Sequence, residues 1–177
     1  MTLIVNPPAP SPVDGRMLRA LLRHQASTVT VVTVPGRPPA GFTATSFTSV
    51  SLQPPLVSFC LDRTSSSWPA VARADHVAVH LLAERQQALA RTFATSGIDR
   101  FAAHPAWHAG PHGVPVLDDT LAWLVCRVVD RVVAGDHAVV LAEPLLGQHG
   151  AAGCPLLYHR GGYARLATAV GPAGSAA

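Results

Sequence analysis

"LAWLVCRVVDRVVAGDHAVVLAEPLL", residues 121 to 146, sets two runs of aliphatic and β-branched residues on either side of Ala134-Gly135-Asp136. Each run reads as a strand, and a short linker built on Gly-Asp, two turn-forming residues, reads as a hairpin. The two strands therefore lie antiparallel, and the rest of the chain supplies more of the same kind. "STVTVVTV" (27–34) is β-branched throughout and ends on the turn signal "PGRPP". "TATSFTSVSL" (43–52) and "LVSFCL" (56–61) flank Pro54-Pro55 and predict two further strands. "DHVAVHLL" (75–82) alternates, with Val77, Val79 and Leu81 on one face, and "PLLYHRGGYARL" (155–166) predicts a last strand.

Helical signals are fewer. Asp14 can cap a short helix in which Met17, Leu18, Leu21 and Leu22 share a face. Leu82, Gln86, Leu89 and Phe93 recur at helical spacing and predict an amphipathic helix over 83–95. Six or seven hairpin-spaced strands with two or three short helices predict a mainly β protein, an antiparallel barrel with helices at its ends. The 177 residues suffice for one domain, predicted over 13–168 between a loose Pro-rich arm (1–12) and a Gly- and Ala-rich tail (169–177).

Only 13% of the residues are charged, against a usual share of about 25%. So bare a surface points equally to cover by a second copy of the chain or to a composition bias in which Ala and Thr replace Lys and Glu. The formal charge is +3, but the basic residues are scattered, which speaks against nucleic-acid binding. Cys60, Cys126 and Cys154 are odd in number and far apart, so they predict buried free thiols in a reducing cytoplasm. With no basic-then-apolar leader and no apolar run approaching about 18 residues, no membrane segment is expected.

The chemistry-bearing residues are sparse. His104, His108 and His112 are spaced four apart, but Pro105, Gly110 and Pro111 predict an exposed loop there and no metal site. No GxGxxG, GxxxxGK[ST] or GxSxG motif is present. In "CLDRTSSSWPAVARA" (60–74), Ser65, Ser66 and Ser67 precede Trp68-Pro69, where they can cap a helix start and offer hydroxyls and N–H groups to a phosphate. His137 opens a strand at a barrel rim, where a side chain can face a pocket mouth.

These segments together resemble the flavin reductase family, whose members feed reduced flavin to separate monooxygenases. The resemblance runs from about residue 14 to 167. It is carried by "GFTATSFTSVSLQPPLVSFCLDRTSSSW", "ALARTFA" with "DRF", "HPAW", "GVPVLDDTLAWLVCRVV", "AGDHAVVLAEPL" and "PLLYHRGGYARL", in that order. It implies an FMN-binding split barrel, a homodimer with flavin (FMN or FAD) at the subunit interface, and NADH or NADPH as reductant. Carried over by matching segments, Thr43, Ala44, Thr45 and Ser46 lie along the flavin ring, and Ser51, Cys60 and Asp62 line the site further on. Ser65, Ser66 and Ser67 meet the flavin phosphate or ribityl chain, with Arg100 and Phe101 closing it. His137 contacts the nicotinamide nucleotide as the catalytic candidate, with Tyr163 and Arg160 nearby. Relatives commonly carry asparagine at the positions of Thr45 and His80. Two other readings are a binding module that holds FMN without reductase activity, and a related split-barrel enzyme acting on a small organic substrate.

Overall fold

The computed structural model describes residues 12–150 and 152–166. The expected tail and, but for residue 12, the expected arm lie outside them. Asp14 caps α1 (Gly15–Leu22) by accepting the Met17 N–H at 2.7 Å. The chain then runs through β1 (Ser27–Thr28), β2 (Thr30–Val34), β3 (Ala40–Ala44), β4 (Thr48–Leu52) and β5 (Pro55–Asp62). α2 (Trp68–Val71), β6 (His76–Leu81), α3 (Gln87–Ala94), α4 (Arg100–Ala103), β7 (Trp107–Ala109) and β8 (Pro115–Leu117) follow. The hairpin of β9 (Ala122–Ala134) and β10 (His137–His149) leads to β11 (Leu157–His159) and β12 (Gly162–Ala164).

Seven strands form one antiparallel sheet in the order β3-β2-β6-β9-β10-β5-β4. Its two edge strands, β3 and β4, are consecutive in the chain and joined by only residues 45–47. So short a link brings the first and last strands of the sheet together, and the sheet must curl to allow it. No ladder joins β3 to β4 or β5. The Ser46 hydroxyl spans the seam instead, accepting the Cys60 N–H at 2.8 Å. The result is the expected mainly β split barrel, closed by a side chain where a backbone ladder is missing.

The barrel core gathers Val32, Val34, Phe42, Phe59, Val77, Val79, Cys126 and Val140. On the other side of β2, Val29 and Val31 pack under α3 with Leu89, Phe93 and Phe101. Burying Phe59 and Phe93 completely contributes roughly 2–3 kcal/mol each. The alternation in β6 is observed, but its second face is also covered: Ala78 lies with Val114 and Val116, and His80 is fully buried.

Several local expectations need correction. "TATSFTSVSL" is not one strand, because it breaks at 45–47 where the seam forms. "PLLYHRGGYARL" is a small hairpin paired with β1, turned at Arg160 and Gly161, both with positive φ. The helix over 83–95 begins with a 3₁₀ turn at Glu84–Gln86, and only Gln87–Ala94 is α-helical. The exposed loop expected around the histidines contains β7, which places His108 in a strand paired with β8 and bonded to Asp118 at 2.9 Å. Cys126 is the buried thiol expected, whereas Cys60 is half-buried and Cys154 exposed. The apolar face of α1 exists, but Leu18, Leu21 and Leu22 remain exposed in the single chain.

Candidate functional site

The seam between the sheet edges is also where the chain leaves room. A cleft of about 390 Å³ opens there, walled by Phe42–Ser46 from β3 and its link, Cys60–Asp62 from β5, Ser65, and Phe93, Ala94 and Ser96 at the end of α3. Arg100 and His137 complete the lining. The β3 wall is held close to α3 for a local reason. Gly41 lies so close to α3 that an added Cβ would sit 2.7 Å from the Phe93 ring, so β3 can approach the helix only without a side chain there. Thr43 fastens the same strand by donating its hydroxyl to the Ala90 carbonyl at 2.7 Å.

Arg100 governs the electrostatics on one side. Its Nε donates to the Thr95 carbonyl at 2.9 Å, Nη1 to Ser67 Oγ at 3.2 Å and Nη2 to Ser66 Oγ at 3.4 Å. No carboxylate pairs with it among the described residues, and partial burial lowers its pKa from the ordinary guanidinium value. Desolvated positive charge held only by neutral oxygens attracts an anion. The neighbouring acid is committed elsewhere, because Asp99 caps α4 by accepting the N–H groups of Phe101 and Ala102.

A second titratable pair lies elsewhere on the lining. Asp62 accepts the Thr64 N–H and hydroxyl, both at 2.7 Å, and these bonds, with a smaller contribution from His137, hold its carboxyl below the usual carboxylate range. His137 stands opposite Asp62 in the β5–β10 register, with Nδ1 2.7 Å from the Asp136 carboxylate. That contact fixes the ring through Nδ1 and leaves Nε2 as the free nitrogen. The Gly135 turn that positions it has φ of 63°, as the hairpin requires.

Nine of the residues singled out in the sequence meet in this cleft: Thr43, Ala44, Thr45, Ser46, Cys60, Asp62, Ser65, Arg100 and His137. The others lie outside it. Ser51 is on β4, where its hydroxyl accepts the Gln53 N–H. Phe101 is buried in the layer under α3. Ser66 touches Arg100 from outside, and Ser67 is buried behind it. Ser67 stands at the start of α2 without capping it, because its hydroxyl donates to the Gly41 carbonyl at 3.0 Å. Arg160 turns the β11–β12 hairpin, and its carbonyl accepts a bond from Arg23. Tyr163 lines a different depression with Glu84, Arg85 and Leu156, and Arg91 lies over its ring. Sequence reading missed Phe42, Leu61, Phe93, Ala94 and Ser96 in the cleft. Only Phe93 carried a signal, its place on the apolar face of the helix.

Residues 22–167 match the family model described as "Flavin reductase like domain". The chain is 46% identical over 153 residues to an NADH:FMN oxidoreductase of Rhodococcus erythropolis, spanning 83% of this chain and 79% of that one. It is 41% identical over 151 residues to the reductase component of a 4-nitrophenol 4-monooxygenase/4-nitrocatechol 2-monooxygenase of Rhodococcus opacus, spanning 85% and 80%. Among solved structures, a flavin reductase domain protein of an Arthrobacter species superposes with a TM-score of 0.83 at 40% identity, covering 88% of this chain and 97% of the other.

Proposed function

The chain belongs to the flavin reductase family, and from that premise we propose that it is an NAD(P)H:flavin oxidoreductase that supplies reduced FMN or FAD to a separate flavin-dependent monooxygenase. The observation that carries the reading is the cleft at the barrel seam, where the small and hydroxyl-bearing residues Thr43 to Ser46 line one side and a partly desolvated guanidinium with no acid partner among the described residues stands beside them. A flat, mostly uncharged ring with a phosphate on its tail fits that combination, because the wall admits the ring and the guanidinium meets the phosphate.

The bound nucleotides supply the redox chemistry, a hydride donor in the nicotinamide and a hydride acceptor in the flavin ring. The protein's share is placement. Thr43, Ala44, Thr45 and Ser46 form the wall along the ring, and the Thr43–Ala90 bond keeps that wall from shifting. Cys60 and Asp62 continue it along β5, and Arg100 orients the phosphate end. His137 presents its free Nε2 toward the incoming nicotinamide nucleotide, steadied by Asp136. No general base is needed for hydride transfer itself.

We further read the working unit as a homodimer. The main sheet carries Leu52 at 82% exposure and Val133 at 61%, with Val129, Val132, Leu145 and Leu146 also exposed, apolar side chains that a second copy would help to cover. In that unit Tyr163 and Arg160 are proposed to serve the nucleotide of the site. Three free thiols suit a reducing cytoplasm, and no helix of the described residues is long and apolar enough to cross a membrane. Steady-state oxidation of NADH and NADPH in the presence of riboflavin, FMN and FAD tests the proposal. Oxidation that accelerates on adding flavin is expected, and a protein that oxidises neither nicotinamide with any of the three sinks it.

A further inference from the structure

Ser67 is buried to 1% exposure, yet it belongs to a run of hydroxyls beside the cleft. Its single O–H proton is spent on the Gly41 carbonyl at 3.0 Å. With the proton fixed there, the oxygen's lone pairs face the other way, and Arg100 Nη1 donates to them at 3.2 Å. Ser66 also receives a bond from Arg100, but it is exposed and its hydroxyl can rotate. Ser67 is therefore the locked contact. The strand that locks it is itself fixed, since Gly41 packs against the Phe93 ring without room for a Cβ.

A guanidinium has five N–H donors in a rigid plane. Three are taken by Thr95, Ser67 and Ser66, which leaves one on each terminal nitrogen. Both lie in the guanidinium plane, where they can be offered to phosphate oxygens. Rotating that plane would turn them away, and the bonds to Thr95 and to the locked Ser67 oppose that rotation.

We infer that Ser67 is a positioning residue for phosphate recognition: it never touches the flavin but sets the plane of Arg100, and so makes the site prefer flavins that carry a 5′-phosphate over riboflavin. The inference rests on the flavin reading above and goes beyond it, because it assigns Ser67 an indirect role and names the basis of selection between flavins. Its chemistry is non-covalent throughout.

The test uses equilibrium binding without nicotinamide, so it does not depend on turnover. Dissociation constants for FMN and for riboflavin are measured by flavin fluorescence quenching in the wild type, Ser67→Ala, Arg100→Ala and the double variant. The expected result is that Ser67→Ala raises the ratio Kd(FMN)/Kd(riboflavin) about tenfold, as befits a misdirected charge-assisted contact. In the Arg100→Ala background the same change should move the ratio less than twofold, since a residue acting through Arg100 has nothing left to act on. A ratio unmoved by Ser67→Ala, an equal loss for both flavins, or a full tenfold effect repeated without Arg100 would overturn the inference. If Ser67→Ala does not fold, Ser67→Cys fills the same space with a poor hydrogen-bond partner and takes the same readout. A wild type that binds FMN tightly but does not oxidise NADH or NADPH would sink the reductase reading while leaving this one standing. A wild type that binds neither flavin would sink both.

Discussion

Two polar intrusions into the β framework invite comparison: the imidazole of His80 and the guanidinium of Arg100. His80 is fully buried between β2 and β8, where Nδ1 donates to the Val31 carbonyl at 3.1 Å and Nε2 accepts the Leu117 N–H at 3.1 Å. Both ring nitrogens are satisfied, and no bonding capacity is left over. Arg100 is only partly buried and keeps two of its donors unspent beside a cleft. A polar group whose bonds are all made within the chain acts as a rivet. One whose bonds are incomplete is kept ready for something else.

The contrast can be broken most severely at the rivet. His80→Ala removes the side-chain bond to the Val31 carbonyl, leaves the Leu117 N–H buried without its acceptor and opens a cavity, and about 4 kcal/mol of stability should be lost. Urea unfolding gives that number directly, and a loss below 1 kcal/mol would mean that His80 is not a structural clamp. Acid attacks the same point. Burial lowers the His80 pKa to about 4, against the bond to Val31 and with the help of His108 nearby, so the folded state resists protonation that the unfolded chain accepts near 6.5. The stability held by neutral His80 is thus present above pH 6.5 and drains as the pH falls through 6.5 toward 4, by roughly 3 kcal/mol in all. His80→Asn should flatten that slope. An unfolding midpoint that falls from pH 7 to pH 4.5 as much in the variant as in the wild type would assign the slope to other groups.

Next in size comes the wall of the cleft. Gly41→Ala forces a methyl group against Phe93 and the Val32 carbonyl, which should cost about 2 kcal/mol and loosen FMN binding as well, because β3 carries the wall. Calorimetry and fluorescence titration on one preparation would show whether the two losses travel together. The smallest expected effect is at the rim. His137→Ala should lower kcat/KM for the nicotinamide about tenfold, near 1.4 kcal/mol, and change FMN affinity less than twofold. The reverse pattern would remove His137 from the nicotinamide side of the site.

Sequence alone carried the rivet and the cleft to different depths. The β9–β10 hairpin was legible because a Gly-Asp turn between long β-branched runs has one ready meaning, and α1 was legible through its cap. "TATSFTSVSL" was misread as continuous because Thr45 and Ser46 are as strand-compatible as their neighbours. What breaks the strand there is closure of the sheet, a property of seven strands together. The β11–β12 turn was hidden for a related reason, since Arg160 takes a positive φ that an arginine seldom adopts. At the cleft, residue types revealed that hydroxyls cluster but not which of them face outward. Ser65 lines the space and Ser67 backs it, a difference set by the Gly41 carbonyl, 26 positions earlier in the chain. His80 gave no hint of its role, because the Leu117 N–H it accepts lies 37 positions away.

The Ser46 bridge to Cys60 has a mechanical consequence. A seam held by a backbone ladder opens only by unzipping several bonds in concert, whereas this one rests on a single side chain, which accepts the Cys60 N–H at 2.8 Å and donates to the Cys60 carbonyl at 3.4 Å. The barrel therefore concentrates its compliance along one line and stays stiff elsewhere. Under the proposed reading, a planar guest entering along that line leaves the strand ladders on either side intact.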